Sequence, residues 1–265
     1  MAGIERVTEA AFNQYGTYYD LLYKDKNYAA EADYVAATLR KAAPNVRDIL
    51  EFGAGTGRHG RLLARERFNV VGVENSEAMV RSAPQDYETK DDFGEGSFSC
   101  EIGDIRSFET NLKFDAVISL FHVISYQTAD RDLLKVFANA AHHLKQQGLF
   151  FFDVWHGPAV LAQEPAVRVK RVEDDNVRLI RLAEPFLDTA AQVVTVTYTL
   201  FVESKQSGKL QSLEERHEVR YFFPAEIEVF ASQAGFSIER SEEFLTGATP
   251  SDETWGVAYL LRKVS

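Results

Sequence analysis

A single cysteine, Cys100, stands in 265 residues. No internal disulfide can form, and no cysteine–histidine grouping has metal-ligand spacing, so a metal-free chain in a reducing, cytoplasmic compartment is expected. Positive charge is also scarce: 29 Lys and Arg face 40 Asp and Glu, a net −11. The basic residues are scattered, which argues against tRNA, rRNA or DNA as a partner. No apolar run reaches the ~20 residues of a membrane helix, and Met1-Ala2-Gly3-Ile4-Glu5-Arg6 lacks an apolar signal core. No membrane association is expected, and no internal repeat is visible. What is present is 45% hydrophobic residues, enough for one sizeable core with an elaboration.

The most informative run is Ile49-Leu50-Glu51-Phe52-Gly53-Ala54-Gly55-Thr56-Gly57, an apolar strand that opens into alternating glycines. Glycine takes positive φ without a Cβ clash, so the chain can reverse with bare backbone against a ligand. Arg58 to Arg65 then reads as a helix whose N-terminus points at that ligand. Two codes overlap here. Gly55-x-Gly57-x-x-Gly60 fits a dinucleotide turn, which would make the chain an NAD(P)-linked oxidoreductase. Glu51-x-Gly53-x-Gly55-x-Gly57 fits S-adenosylmethionine, and the register favours it, because the tight turn begins at Gly53 and Arg58 stands where the dinucleotide code needs glycine. Asn69 to Val73 is the next strand, ending on Glu74, placed to accept from both ribose hydroxyls. Glu101 to Ile105 is a third, ending in Asp104, placed to accept from the adenine amino group. Met79 is expected to cover the adenine face. Ala54, Thr56, Asn75, Ile105 and Phe121 complete the expected cofactor set.

Two amphipathic helices, Phe12 to Tyr23 and Tyr28 to Ala43, precede the turn. A strand over Phe114 to Phe121, a helix through Leu144 and an apolar strand from Gly148 to Trp155 follow it. From Val167 to Phe223 the pattern becomes long alternating segments around the turn Gln206-Ser207-Gly208-Lys209, an antiparallel meander. Pro224 opens a last helix, and Ser237 to Arg240 with Trp255 to Leu261 form a closing antiparallel pair. The acidic stretch Asp86 to Gly96 reads as an exposed loop. The fold class is α/β, a Rossmann-like doubly wound sheet. The division is a helical lid over 1–46, a cofactor-binding core over 47–156 and 224–265, and a β insert over 157–223.

These residues resemble class I S-adenosylmethionine-dependent methyltransferases, from about residue 12 to 262. Tyr19-Asp20-Leu21-Leu22-Tyr23, Tyr28-Ala29-Ala30-Glu31-Ala32, the glycine turn and the insert are most similar to N,N-dimethyltransferases of nucleotide-linked amino sugars, of the desosamine and mycaminose type. The resemblance implies a seven-stranded sheet with its last strand antiparallel, and a dTDP- or GDP-linked amino sugar held on the insert side. It also implies that the tyrosine-rich helix is a lid, with Tyr15 or Tyr19 on the methionyl carboxylate. In those enzymes a histidine lies a few residues beyond the fourth strand; here Tyr126 stands in its place and His122 lies nearby, out of register.

Methyl transfer is an in-line displacement that needs a neutral, aligned nucleophile. Tyr23 and Tyr126 are expected to orient the acceptor, with His122 or His156 as proton acceptors, and Trp155 with His156 to form a substrate wall. An amine acceptor needs little acid–base help; a hydroxyl, the O-methyltransferase alternative, needs a general base. A protein that binds S-adenosylmethionine without catalysis is the non-enzyme alternative. The insert is a candidate surface for a homodimer.

Overall fold

A computed structural model of the chain describes residues 6–9, 14–81 and 94–264. The exposed loop expected over 86–96 lies outside the described residues as far as residue 93.

Strand β1 (Arg6–Glu9) comes first, then the short helices α1 (Gln14–Thr17) and α2 (Tyr19–Leu22) and the longer α3 (Tyr28–Ala42). A single helix was expected over 12–23, of which residues 12 and 13 are not described. Glycine and clustered aromatics are weak helix formers, and the chain breaks at Tyr18, one residue after α1. In α3 the Asn27 side chain caps the helix by accepting from the Ala30 N–H at 3.1 Å.

The core alternates β2 (Asp48–Phe52), α4 (Arg58–Arg65), β3 (Asn69–Glu74), α5 (Glu77–Arg81), β4 (Ser97–Ile102), β5 (Phe114–Ser119), α6 (Asp130–His143) and β6 (Leu144–His156). A single 3₁₀ turn, Val123–Tyr126, follows β5. After α7 (Gly157–Gln163), strands β7 (Arg168–Glu173), β8 (Val177–Asp188), β9 (Val193–Ser204) and β10 (Leu210–Phe222) form the meander. Helix α8 (Pro224–Gln233) and strands β11 (Phe236–Glu243) and β12 (Gly256–Lys263) close the chain.

The core sheet runs β4-β3-β2-β5-β6-β12-β11, parallel except where β12 opposes both β6 and β11. This is the expected seven-stranded α/β sheet. Strand β6 has Phe150, Phe152 and Val154 in the cluster with α6 and α8, and Leu149 and Phe151 in the cluster with α3 and α4. A strand buried on both faces has no polar alternation, which is why it reads as continuously apolar. The third strand begins earlier than expected, at Ser97 rather than Glu101, and stops at Ile102. It is the edge strand, so its apolar residues are too sparse to mark its start.

The meander is antiparallel throughout. Its strand β10 also runs into the core: Tyr221 and Phe222 pair in parallel with Trp155 and His156, along the part of β6 that extends beyond β5. Strand β1 lies parallel to β10, Arg6 opposite Ser212. The N-terminal segment was read as wholly helical; the edge of β10 gives these residues a ladder partner remote in sequence. One face of the meander, through Leu179, Leu200, Val202 and Leu213, packs on Tyr15, Tyr19 and Leu22, so the tyrosine helices are clamped between insert and core.

Candidate active site

All three turn glycines have left-handed backbone: Gly53 φ +72, Gly55 φ +59 and Gly57 φ +73. A Cβ on Gly53 would lie 2.6 Å from both γ-methyls of Val123, and one on Gly55 would meet the Met79 Cε at 3.2 Å. The Gly55 N–H donates to Glu74 Oε2 at 2.9 Å and the Ser76 N–H to Glu74 Oε1 at 2.8 Å, which ties the end of β3 to the turn. Helix α2 docks on the same loop: the Thr56 hydroxyl and Arg58 Nε donate to Asp20 Oδ1 at 3.0 and 2.9 Å.

Behind the turn Glu51 is fully buried, and its Oε2 has no hydrogen-bond partner. Burial, with the neighbouring Glu74 carboxylate, pushes its carboxyl up from 4.5 to about 8. Glu74 is raised as well, by burial, against the hydrogen bonds from Ser76, Gly55 and Asn75. Two buried acids at a bare-backbone turn suit a cationic ligand. S-adenosylmethionine, with its ribose hydroxyls, sulfonium and ammonium, fits.

The other expected cofactor residues divide. Met79 is buried against Gly55 and Gly16, Ile105 is buried, and Asn75 is exposed. Asp104 lies in the loop after β4, but its carboxylate is held by Arg106, with Nε at 2.9 and 3.0 Å and Nη2 at 2.6 Å. That hydrogen-bonded guanidinium holds it below the ordinary aspartate value. An adenine amino group would therefore share an occupied carboxylate.

Phe121 and His122, just past β5, both have left-handed backbone, φ +65 and +61, a sparsely populated region for side chains with a Cβ. The distortion brings His122 Nδ1 to 2.7 Å from Asp153 Oδ2. Asp153 is buried within β6; burial alone would raise its carboxyl, but the pairing with His122 overcomes this and the net shift is downward. Lys26 Nζ sits 3.5 Å above the Phe121 ring centroid and 2.7 Å from Glu31 Oε2. Trp155 flanks His122, ring centroids 6.3 Å apart. His156 does not join them. His156, the next residue along β6, is buried, and strand alternation directs it to the opposite face of the sheet from Trp155.

On the insert side, hydroxyls converge. Tyr15 Oη and Tyr23 Oη are 3.3 Å apart, and Arg181 Nη1 from β8 donates to them at 3.0 and 3.3 Å. Tyr23 packs edge-on to Phe121, centroids 5.1 Å apart, so the cluster adjoins the turn after β5. Tyr126 Oη is 3.0 Å from His217 Nδ1, and His217 Nε2 is 3.2 Å from Glu215 Oε2, both on β10. Glu215 Oε1 accepts the Tyr15 N–H at 2.8 Å. Tyr19 is buried in the same aromatic cluster, its ring centroid 4.7 Å from that of Tyr23.

Sequence reading missed Asp20, Lys26, Asp153, Arg181, Glu215 and His217. Two signals were present. Asp153 is the one acid inside the apolar run Leu149 to Trp155. Glu215 and His217 occupy alternate positions with Leu213 and Val219, the buried face of β10. Arg181 carries no such mark, because the strand around it is rich in arginine. Among the described residues no group of three or more potential metal ligands occurs, and no helix is long and apolar enough to cross a membrane.

Residues 49–148 match the family described as methyltransferase domain. The chain is 27% identical over 226 residues to dTDP-3-amino-3,4,6-trideoxy-alpha-D-glucopyranose N,N-dimethyltransferase of Streptomyces venezuelae, covering 84% of this chain and 90% of that one. It is 26% identical to dTDP-3-amino-3,6-dideoxy-alpha-D-glucopyranose N,N-dimethyltransferase of Streptomyces fradiae, with 83% of each chain covered. In fold it is similar to a sugar N-methyltransferase of a Streptoalloteichus species, TM-score 0.78 at 21% identity, with 98% and 97% covered. An S-adenosylmethionine-dependent methyltransferase of Clostridium acetobutylicum gives TM-score 0.76 at 22% identity, with 96% and 99% covered.

Proposed function

We propose that this chain, an S-adenosylmethionine-dependent methyltransferase by its domain and its relatives, methylates the amino group of a nucleotide-linked amino sugar. The observation that carries the reading is the span of the match. Similarity to the Streptomyces venezuelae enzyme covers 84% of this chain, well beyond the cofactor-binding residues 49–148. The remaining matched length reaches into the elements that this reading assigns to the acceptor.

S-adenosylmethionine supplies an electrophilic methyl group on a sulfonium. Gly53, Ala54, Gly55, Thr56 and Gly57 would approach it with backbone, Glu74 would take the ribose hydroxyls, and Glu51 would favour its positive charge from behind the turn. Met79, Asn75, Asp104, Ile105 and Phe121 would bound the adenosine, and Tyr15 and Tyr19 would close the methionyl end. Tyr23 and Tyr126 would orient the acceptor nitrogen, with His122 and Trp155 as the wall opposite the lid. Holding a neutral amine in line supplies much of the rate, because positioned reactants gain effective molarities on the order of 10⁵ M or more. The division into a lid over 1–46, a core over 47–156 and 224–265, and an insert over 157–223 follows the same logic: the core holds the cofactor, while lid and insert enclose the acceptor.

The test is mass spectrometry of dTDP- and GDP-linked amino sugars and their hydroxy counterparts after incubation with S-adenosylmethionine. One or two added methyl groups on the amines alone support the reading. Methylation of the hydroxy compounds instead would overturn it in favour of O-methylation, with the His122–Asp153 pair as the base that reaction requires.

A further inference from the structure

We infer that Arg181 and Lys170, on the inner face of the insert, form a subsite for an oxyanion carried by the acceptor, the diphosphate of a nucleotide-linked sugar. The two residues lie directly opposite each other where β7 pairs with β8, so their side chains leave the same face of the sheet. Arg181 alternates there with Leu179 and Ala183, both buried. Both cations reach the Tyr23 ring, Arg181 Cζ at 5.8 Å and Lys170 Nζ at 5.9 Å from its centroid. Like charges in this cross-strand relation repel, so the pair costs stability unless an anion joins it.

Other cations of the insert are compensated within the chain: Arg178 pairs with Glu173 and Glu203, and Lys205 with Glu173. Arg181 is not. It is half-buried, and among the described residues its hydrogen bonds go to the Tyr15 and Tyr23 hydroxyls, both from Nη1, while Nε is buried without a partner. Phenols offer dipoles and no counter-charge, whereas a guanidinium is always charged. The carboxylate nearest Lys170 is that of Asp25, exposed and 3.9 Å away, a pairing of little strength.

Two fixed positive charges match the two negative charges of a sugar diphosphate better than the one of a carboxylate. A guanidinium takes phosphate oxygens in its planar fork, and an ammonium adds a point charge beside it. On a chain of net −11, a polyanionic acceptor is repelled by most of the surface, and a local pair of cations draws it to one place. That place adjoins the transfer site, since Tyr23 also packs edge-on to Phe121, just past β5. The inference rests on the amino-sugar reading for the identity of the anion.

The test is calorimetric titration of the full chain with inorganic pyrophosphate, dTDP-glucose and S-adenosylhomocysteine in turn, on the wild type, Lys170→Gln and Arg181→Gln. The Kd for pyrophosphate should rise about tenfold in Lys170→Gln and about 10²-fold in Arg181→Gln, the range for hydrogen bonds to charged groups, with dTDP-glucose following. The Kd for S-adenosylhomocysteine should stay within about twofold in both. No binding of pyrophosphate by the wild type, or the same Kd in both variants, would overturn the subsite. So would a loss of S-adenosylhomocysteine affinity in Arg181→Gln with pyrophosphate unmoved, which would assign the guanidinium to the methionyl carboxylate. If Arg181→Gln fails to fold, Lys170→Gln decides the matter. Pyrophosphate binding that is lost in the variants, with no binding of dTDP-glucose, would keep the subsite and remove the nucleotide sugar from it, so failure of the amino-sugar reading is told apart.

Discussion

Replacing Glu51 by glutamine should stabilise the ligand-free protein, and increasingly so as pH rises. Glu51 is buried with one oxygen unpartnered, and its carboxyl is raised from 4.5 to about 8. A raised folded-state value means that the folded chain holds a proton the unfolded chain has released. Between about pH 5 and 8 the unfolded state therefore binds fewer protons, and stability contributed by this group falls as pH rises. Each unit corresponds to about 1.4 kcal/mol, so the full interval amounts to about 5 kcal/mol. Glutamine does not titrate, so the difference between variant and wild type should grow in the variant's favour by that amount. At about 2–4 °C per kcal/mol for a chain of this size, the gap in Tm should widen by roughly 10 °C or more between pH 5 and 8. Calorimetric scans of both proteins at half-unit pH intervals measure it. S-adenosylhomocysteine should narrow the gap, because its ammonium stabilises the ionised wild-type carboxylate. Parallel Tm curves across this pH range would refute the placement of a strained, proton-holding acid behind the turn.

Gly53→Ala should abolish measurable binding of S-adenosylhomocysteine in calorimetric titration, because the new Cβ lies 2.6 Å from two Val123 methyls at a left-handed φ. Asp153→Asn removes the buried carboxylate beside His122 and weakens its bond from the His122 backbone N–H, and should cost about 1–3 kcal/mol in chemical denaturation at pH 7. The lowered Asp153 value means that its stabilisation is present above the ordinary 3.8 and is lost as pH falls through the folded value, so the penalty should shrink in acid. Asp20→Ala removes the bonds from Thr56 and Arg58 to α2 and should weaken S-adenosylhomocysteine binding about tenfold, or about 1.4 kcal/mol; an unchanged Kd would show that lid docking and cofactor binding are independent.

The glycine turn and its flanking elements were legible because they are local. Strand, turn and helix around Gly53, and the acid ending β3, lie in short stretches whose residue types are dictated by backbone geometry. The side-chain cluster against the insert is assembled from partners distant in sequence: Arg181 reaches Tyr15 across 166 residues, and Tyr126 reaches His217 across 91. No spacing rule anticipates such pairs. His156 shows the opposite difficulty. Its neighbour Trp155 reads as sharing one wall with it, while strand alternation directs adjacent residues to opposite faces. The Asp104–Arg106 pairing escaped notice because an arginine two residues away reads equally well as a solvated loop charge.

Strand β10 presents Leu213, Glu215, His217 and Val219 along one buried stripe. The stripe's two polar positions are bracketed by apolar ones and hold groups from elsewhere in the chain, Glu215 the Tyr15 N–H and His217 the Tyr126 hydroxyl, so the strand's buried face fastens the N-terminal helices to the insert. A single inserted residue upstream in β10 would send both groups to the outer surface and release the helices they hold.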